Sequence, residues 1–245
     1  MNEGPLTGKT VLVTGAAKRL GRTIALAAAE NGANVAITYR ESVRDARLVV
    51  EELARFGVEA LAVRCDITDE KSVREMVREV AKELGGIDVL INNAANYEDI
   101  EFDKITVAEW DAIFASNARG PFLVSREALP HLRKRKGRIV IMGSLGGLRP
   151  WPTHVHYCSS KAAVHMLTKG MAKALAPDIS VNAVAPGVID LGEKSAASFM
   201  KNMAKQTPMK RNGSGSDIAQ AVMFFATGPQ FITGQILAVD GGLGL

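Results

Sequence analysis

Tyr157 and Lys161 are the two residues whose possible chemistry is easiest to state. They are four positions apart, so on a helix both side chains lie on one face. A buried ammonium beside a phenol favours the phenolate and is therefore expected to lower the pKa of the tyrosine. The phenol would donate its proton to a carbonyl oxygen, or accept one in the reverse direction. Because this spacing occurs by chance in many helices, the pair needs support from other residues.

Ser144 and Asn117 provide that support. Ser144 follows an apolar run that is predicted to be a strand, and it precedes Tyr157 by thirteen residues. Asn117 falls inside a predicted helix, where asparagine has poor propensity, which indicates a positional role. The order of the four residues resembles the catalytic tetrad of short-chain dehydrogenases/reductases. The resemblance implies that Ser144 orients a carbonyl group and that Asn117 holds a water that links Lys161 to bulk solvent.

A glycine-rich turn follows the first predicted strand. Residues 14–21 read Thr-Gly-Ala-Ala-Lys-Arg-Leu-Gly, and such a turn lets the backbone approach a pyrophosphate at a helix N-terminus. The turn resembles the Thr-Gly-x-x-x-Gly-x-Gly turn of the same family, but Arg19 stands where the family has its middle glycine. Residues 17–21 also resemble the variant turn of pteridine reductases. Arg19 is expected either to narrow the approach to the cofactor or to reach over it.

The end of the second predicted strand indicates which dinucleotide binds. An acidic residue there would bond the ribose 2′-hydroxyl and repel a 2′-phosphate. This chain has Tyr39 at that position, followed by Arg40, which can pair with a phosphate. Ser42 can donate a hydrogen bond, and the resemblance places Lys18 at the same corner, whereas Glu41 is unfavourable unless it points away. The sequence therefore predicts NADP(H).

Three later turns complete the predicted cofactor site. Asp66 resembles the family aspartate that accepts a hydrogen bond from the adenine amino group, residues 92–95 (Asn-Asn-Ala-Ala) resemble a segment close to the cofactor, and residues 186–189 resemble the segment beside the nicotinamide. Leu191 stands where the family often has a threonine. The expected cofactor-binding residues are Gly15, Lys18, Arg19, Leu20, Gly21, Tyr39, Arg40, Ser42, Asp66, Ile67, Asn93, Ala94, Ala95, Tyr157, Lys161, Pro186, Gly187 and Ile189.

The elements that must position these residues alternate along the whole chain. Apolar runs predict strands at residues 9–14, 34–39, 59–64, 87–92, 138–142, 180–185 and 236–239. Amphipathic stretches predict helices at 21–31, 42–56, 69–84, 107–135, 153–175, 194–205 and 216–226, with Pro121 and Pro130 expected to kink or divide the long one. This alternation predicts an α/β Rossmann-type fold, a doubly wound parallel sheet of about seven strands with helices on both faces. We expect one domain over 1–245.

Composition excludes several other classes. Hydrophobic residues make up 47% and charged residues 23% of the chain, and no apolar stretch is long enough to span a membrane. The N-terminus lacks the apolar core of a signal peptide, so we expect a cytoplasmic protein with Cys65 and Cys158 reduced. The basic run at 133–136 is followed by Gly137 and lacks interleaved aromatic residues, which favours a helix end over a nucleic-acid site.

Three histidines near Tyr157 have no predicted metal role. His154 and His156 precede the tyrosine, but no acidic or cysteine partner completes a ligand set with metal-like spacing, so we expect no metal. A substrate-facing role for His154 or Val155 is more plausible because this loop borders the site. His165 lies two turns after Tyr157 and is expected to be a packing residue.

The substrate is predicted only by class. Residues 190–210 form the expected substrate loop, in which Phe199, Met200, Met203 and Met209 alternate with Lys194, Lys201, Lys205 and Lys210. Such a loop suits an acyl or ring substrate and an acidic carrier, or is simply an amphipathic lid. The leading interpretation is an NADP(H)-dependent carbonyl reductase similar to 3-oxoacyl-(acyl-carrier-protein) reductases. The alternatives are a pteridine reductase and a non-catalytic NADP(H) sensor.

Family analogy implies a homotetramer packed through the helices that carry Asn117 and Tyr157.

Overall fold

Parallel strands form the centre of the computed structural model, which describes residues 4–192 and 197–245. The strands in this part of the chain are β1 Thr10–Val13, β2 Asn34–Tyr39, β3 Ala60–Arg64, β4 Val89–Asn92, β5 Arg138–Met142, β6 Ser180–Pro186, β7 Ile189–Asp190, β8 Gly213–Ser214 and β9 Ile236–Val239. Seven of them make one sheet in the order β3-β2-β1-β4-β5-β6-β9, and the two-residue strands β7 and β8 pair separately. Every pairing is parallel.

Helices cover both faces of this sheet. The α-helices of the described chain are α1 Arg19–Glu30, α2 Val43–Ala54, α3 Glu70–Glu83, α4 Val107–Phe114, α5 Gly120–Arg135, α6 Val155–Leu175, α7 Ala197–Gln206 and α8 Gly215–Thr227. One buried cluster joins the sheet to α1, α2 and α8, and the other joins it to α3, α5 and α6. Within β1, Val11 and Val13 belong to the first cluster and Leu12 to the second. The central strands β1, β4 and β5 are mostly apolar because both of their faces are buried.

The predicted fold class is therefore confirmed, and most element boundaries lie within two residues of their predicted positions. Asp69 caps α3, and Thr106 with Glu109 forms a capping box at the start of α4. The basic run at 133–136 forms the last turn and C-cap of α5. The predicted helix at 194–205 is found as α7, but Lys194 lies outside the described residues. No helix in the described ranges has the length and apolarity needed to cross a membrane.

The long predicted helix at 107–135 is divided, but not as expected. A π-helical turn, Ala115–Arg119, separates α4 from α5 and contains Asn117. Pro121 lies in the first turn of α5, directly after the π-helical turn. Pro130 lies inside α5 and does not end it. The interruption therefore coincides with the candidate catalytic asparagine, as is common for π-helical turns.

The order of the strands places the site. Chain connections run outward from β1 to β2 on one side and from β4 to β5 on the other, so the direction of winding reverses between β1 and β4. Open α/β sheets bind ligands in the crevice at such a point, beside the carboxyl ends of the strands. The glycine-rich turn follows β1, and residues 93–95 follow β4.

Candidate active site

A cavity of about 530 Å³ opens at the carboxyl ends of the central strands. Most of the predicted cofactor-binding residues line it together with Ser144, Tyr157 and Lys161. Of the predicted residues, Ser42 and Ile189 lie outside its lining. Ser42 is the N-cap residue of α2, and Ile189 is in β7. Asn117 also lies outside the lining, next to the lining residue Ser116. The cavity therefore brings the glycine turn and the tyrosine–lysine pair into one site.

Hydrogen bonds between the ends of β1 and β4 hold the glycine turn. The hydroxyl oxygen of Thr14 accepts from the amides of Asn93 and Ala94, both at 3.0 Å. The Asn93 side chain donates back to the carbonyl of Thr14 at 2.9 Å. Gly15 has φ +63°, and a Cβ there would lie 2.9 Å from the Cα of Ala94. The sequence analysis did not include Thr14 among the site residues. A threonine between an apolar strand and a glycine was the available signal that its hydroxyl could bond to a neighbouring turn.

Arg19 adopts the backbone conformation that a glycine would normally supply. Its φ is +54°, in the left-handed region, which costs an ordinary residue roughly 1–2 kcal/mol. The backbone at position 19 therefore has a conformation that suits the family's middle glycine. The side chain there is that of an arginine, and it lines the cavity.

The start of α1 is suited to an anion. Its N-cap residue, Lys18, makes no side-chain cap, and no acidic residue occurs in the first turn of this described helix. The first amides of a helix and its dipole favour negative charge. Lys18 also pairs with Asp45 at 3.0 Å, so part of its charge is already balanced within the protein.

Arg40 and Asp66 lie near each other at the other end of the cavity. Asp66 accepts hydrogen bonds from the amide of Thr68 at 2.9 Å and from its hydroxyl at 2.7 Å. Burial acts to raise the pKa of Asp66, but these two bonds and the charge of Arg40 together lower it. Arg40 also contacts Glu41 at 3.3 Å, and both side chains are exposed, so the contact is weak.

The tyrosine and lysine of α6 both lie against the end of β5. The Nζ atom of Lys161 donates to the carbonyl oxygen of Met142 at 2.8 Å, and burial lowers the pKa of Lys161 to about 8. Burial also raises the pKa of Tyr157 to about 12, and hydrogen bonding by the Ser144 side chain opposes that rise. The pKa of the phenol is therefore raised overall, although the neighbouring ammonium was expected to lower it, because desolvation of the buried phenol is the largest effect. The Nζ atom of Lys161 is directed at a backbone carbonyl.

Ser144 begins a short turn after β5. Its hydroxyl oxygen accepts from the amide of Gly146 at 3.0 Å and caps the 3₁₀ helix Leu145–Gly147. This bond fixes the position of the Ser144 hydroxyl oxygen, and Ser144 lines the cavity.

Asn117 holds the segment that leaves β4. Its side-chain oxygen accepts from the amide of Asn96 at 2.8 Å, and its nitrogen donates to the carbonyl of Asn96 at 2.9 Å and to the hydroxyl of Ser160 at 3.1 Å. The asparagine thus joins the π-helical turn, the loop after β4 and α6. Its implied role in holding a water stays a prediction.

Tyr97 is a site residue that the sequence analysis missed. Its ring lies 5.0 Å from the ring of Tyr157 in an edge-to-face arrangement, and it lines the cavity. Its hydroxyl bonds to Nε2 of His154, whose Nδ1 lies 3.0 Å from the hydroxyl of Thr153. His154 is only 7% exposed, and burial lowers its pKa. The histidine expected to face the substrate therefore reaches the cavity only through Tyr97.

His156 has a structural partner. It is fully buried, and its Nε2 atom lies 3.4 Å from a carboxylate oxygen of Glu98. Within residues 4–192 and 197–245, no group of three histidine, cysteine, aspartate or glutamate side chains is arranged to hold a metal ion.

The chain is similar to known proteins over most of its length. Residues 15–244 match a family model described as enoyl-(acyl carrier protein) reductase. A 3-oxoacyl-[acyl-carrier-protein] reductase of Staphylococcus epidermidis is 40% identical over 240 residues, which cover 96% of this chain and 98% of the relative. The corresponding protein of Aquifex aeolicus is 35% identical over 97% of this chain and 98% of its own length. The solved structure of a short-chain dehydrogenase/reductase from Serratia marcescens superposes with a TM-score of 0.93 at 33% identity, covering 98% of this chain and 100% of that one.

These similarities extend over nearly the whole chain rather than over the glycine turn alone. They identify an oxidoreductase that acts on a CH–OH or C=O group with a nicotinamide cofactor. The sequence resemblance drawn from residues 14–21 and from the tetrad is thereby confirmed. The chain belongs to the short-chain dehydrogenase/reductase family.

Proposed function

We propose that this protein uses NADPH to reduce the 3-oxo group of an acyl thioester, carried on acyl-carrier protein, to a 3-hydroxy group. The observation that carries the proposal is the meeting of Ser144, Tyr157 and Lys161 in the same cavity as the glycine turn. The names of the relatives from Staphylococcus epidermidis and Aquifex aeolicus support the choice of substrate.

The residues present fit a dinucleotide. Gly15 turns the chain in the left-handed conformation, and α1 begins at the cavity with its first-turn amides and without an acidic residue in that turn of the described chain. Together these features suit a pyrophosphate. Asp66 and Arg40 would hold the adenosine end, and Pro186 and Gly187 would lie beside the nicotinamide.

NADP is favoured over NAD by charge. Tyr39 occupies the position at which an acidic residue would repel a 2′-phosphate, and Arg40 follows it in the cavity lining. Lys18 lines the same cavity, although its contact with Asp45 reduces the charge it can offer. Ser42 lies outside the lining, so Arg40 is expected to be the main contact with the phosphate.

Each catalytic side chain has a role that follows from its contacts. A bound dihydronicotinamide would supply hydride to the carbonyl carbon. The hydroxyl of Ser144, directed by the bond from the Gly146 amide, would donate a hydrogen bond to the carbonyl oxygen. Tyr157 would then transfer its proton to that oxygen, which completes the CH–OH group. Its pKa of about 12 keeps the phenol protonated at neutral pH, as reduction requires.

Lys161 would stabilise the phenolate that proton transfer leaves behind. Its pKa of about 8 keeps it charged at pH 7, and its bond to Met142 holds it beside Tyr157, with Nζ 5.8 Å from the centre of the tyrosine ring. An opposite charge in a buried site lowers the free energy of the phenolate.

The segment at 197–210 is proposed as the substrate side of the site. Leu191 lines the cavity, and α7 follows it along the chain with Met203 buried and Phe199 exposed. Met209, shortly after α7, is also exposed. Exposed apolar side chains on this segment suit an acyl chain, and Lys201 and Lys205 of α7 suit an acidic carrier.

A steady-state panel tests the proposal. NADPH and NADH would each be offered with acetoacetyl thioesters, quinones, small ketones and dihydropteridines. Turnover of the thioester with NADPH is expected. Reduction of dihydropteridines alone would instead support a pteridine reductase, and cofactor binding without turnover of any compound would support a sensor.

We also propose a homotetramer that packs through α4, α5 and α6. Trp110, Phe122 and Met166 are exposed on these three helices, and packing against a second copy would remove their apolar surface from water. Light scattering coupled to gel filtration is expected to give four times the mass of one chain, and a monomer at micromolar concentration would contradict this.

A further inference from the structure

Three residues of α6 face the end of β5 in a row. Tyr157, Lys161 and His165 are spaced by four positions, which places them on one face of the helix. Lys161 donates to the carbonyl of Met142, and Tyr157 interacts with the side chain of Ser144. The third member of the row has no part in the mechanism described above, yet it touches the same short stretch of backbone.

The imidazole of His165 contacts the backbone of Ser144. Its Nε2 atom accepts a hydrogen bond from the backbone amide of Ser144 at 3.4 Å. This amide is at the point where the chain leaves the sheet, so the bond fixes the start of the turn that carries the Ser144 hydroxyl. Because Nε2 is the acceptor, the ring proton of a neutral imidazole is on Nδ1.

The two glycines around Ser144 leave room for this ring. A Cβ on Gly143 would lie 2.3 Å from Nε2 of His165, and a Cβ on Gly147 would lie 2.7 Å from its Cε1 atom. Both distances are far shorter than any real contact between such atoms. The imidazole therefore fills space that side chains at 143 and 147 would otherwise occupy, and the turn lies against the ring.

The same ring is held neutral. His165 is 6% exposed, and burial, followed by the positive charge of Lys161, lowers its pKa to about 4. A neutral imidazole can accept the bond from Ser144 without adding a second positive charge beside the catalytic lysine.

We propose that His165 is a positioning residue, which sets the place of the Ser144 hydroxyl through the backbone amide and the two flanking glycines. The inference rests on the proposed function, because it assigns His165 to the step in which Ser144 orients the carbonyl group. The contact between His165 and the Ser144 amide is expected to hold the backbone in place whichever carbonyl compound is reduced.

Two substitutions separate the hydrogen bond from the packing. His165→Gln keeps an acceptor near the position of Nε2, whereas His165→Leu keeps apolar volume and leaves the Ser144 amide without an acceptor. His131→Leu makes the same chemical change on α5, away from the residues that line the cavity, and serves as the matched control.

The first readout is the backbone itself. Hydrogen exchange of the Ser144 amide, followed by NMR, is expected to be at least about tenfold faster in His165→Leu than in wild type, because opening at this turn becomes easier. His165→Gln and His131→Leu are expected to keep the protection. If the Ser144 amide exchanged as slowly in His165→Leu as in wild type, the proposal would be overturned, whether or not the enzyme reduces the expected thioester.

The second readout is kinetic. With any carbonyl substrate that the wild type reduces, His165→Leu is expected to lower kcat by about 10- to 100-fold, the size of effect that a small misplacement of a catalytic group produces. KM and NADPH binding should stay close to wild type, and His165→Gln should recover most of the rate. In a Ser144→Ala background the loss caused by His165→Leu should disappear. An equal loss in that background would show that His165 acts on the fold in general and not through Ser144.

Absence of turnover in the wild type would refute the proposed function and leave the exchange measurement to decide the role of His165.

Discussion

The Nζ atom of Lys161 lies 2.8 Å from the carbonyl oxygen of Met142 and donates a hydrogen bond to it. This bond attaches the middle of α6 to the end of β5, two residues before Ser144. It also holds an ammonium group in a fully buried position, where desolvation lowers its pKa from 10.5 to about 8. The lysine that we propose to be catalytic is therefore both well placed and costly for the folded state.

That cost should be visible as a pH dependence of stability. The unfolded chain binds a proton at Lys161 up to about pH 10.5, and the folded chain only up to about pH 8. Between these values the unfolded state binds more protons, so raising the pH favours folding. Wild type is expected to gain on the order of 3 kcal/mol relative to Lys161→Met between pH 8 and pH 10.5. Urea unfolding of both proteins measures the difference, and a constant difference across this range would contradict it.

Because of His165, the stability of the folded chain should also rise with pH in the acidic range. The pKa of His165 is lowered from 6.5 to about 4, mainly by burial and then by Lys161 on its own helix. Hydrogen bonding with the Gly147 backbone opposes this shift, and Lys169 adds to it. Residues 143–147, which pack against it, contain no titratable side chain. As the pH falls from 6.5 to 4, the unfolded state takes up the proton first and wild type loses stability.

The matching experiment compares wild type with His165→Gln, which cannot take up this proton. The free energy of unfolding of wild type is expected to fall by on the order of 3 kcal/mol more than that of His165→Gln between pH 7 and pH 4. Parallel curves for the two proteins would mean that the imidazole is not held neutral in the folded state.

Arg40 should determine the preference for NADP. Arg40→Ala is expected to weaken NADPH binding about 10- to 100-fold, because a charge-assisted bond to a phosphate is lost, and to leave NADH binding nearly unchanged. Arg44→Ala, an exposed arginine early in α2 that does not line the cavity, is the control. Isothermal titration with both cofactors measures the effect. If Arg40→Ala weakened NADH and NADPH equally, Arg40 would not be reading the 2′-phosphate.

Tyr97 should contribute to stability through His154 and to substrate binding through its ring. Tyr97→Phe keeps the ring but removes the hydroxyl that is hydrogen-bonded to Nε2 of the buried His154, which should cost about 1–3 kcal/mol of unfolding free energy. Tyr97→Ala also removes the ring that lies against Tyr157, so its KM should rise while that of Tyr97→Phe stays near wild type. Equal KM values for the two variants would exclude a role of the ring in binding substrate.

The parts of this site that the sequence predicted are those with local signals. Gly15 and Gly21 punctuate a strand–helix junction, and Tyr157 and Lys161 have a helical spacing, so each could be placed before its surroundings were known. Solid apolar strands such as β1 predicted burial on both faces, which the two core clusters show.

The features of the site that the sequence did not predict depend on contacts between distant parts of the chain. Tyr97 and His154 are 57 residues apart, and His165 meets Ser144 across 21 residues, so no local pattern pairs them. The direction of the Tyr157 pKa shift was mistaken for the same reason, because desolvation depends on how completely the folded chain covers the phenol. The π-helical turn at Asn117 breaks the helical period without any glycine or proline inside it to signal the break.

The central claim is that Tyr157 donates a proton to a carbonyl group reduced by NADPH. The most direct test is the rate of NADPH oxidation with an acetoacetyl thioester for wild type and Tyr157→Phe, with NADPH binding measured for both. Wild type should turn over, and the variant should bind NADPH equally well while losing about 10²–10⁴-fold in rate. A Tyr157→Phe enzyme that reduces the thioester at the wild-type rate would contradict the account.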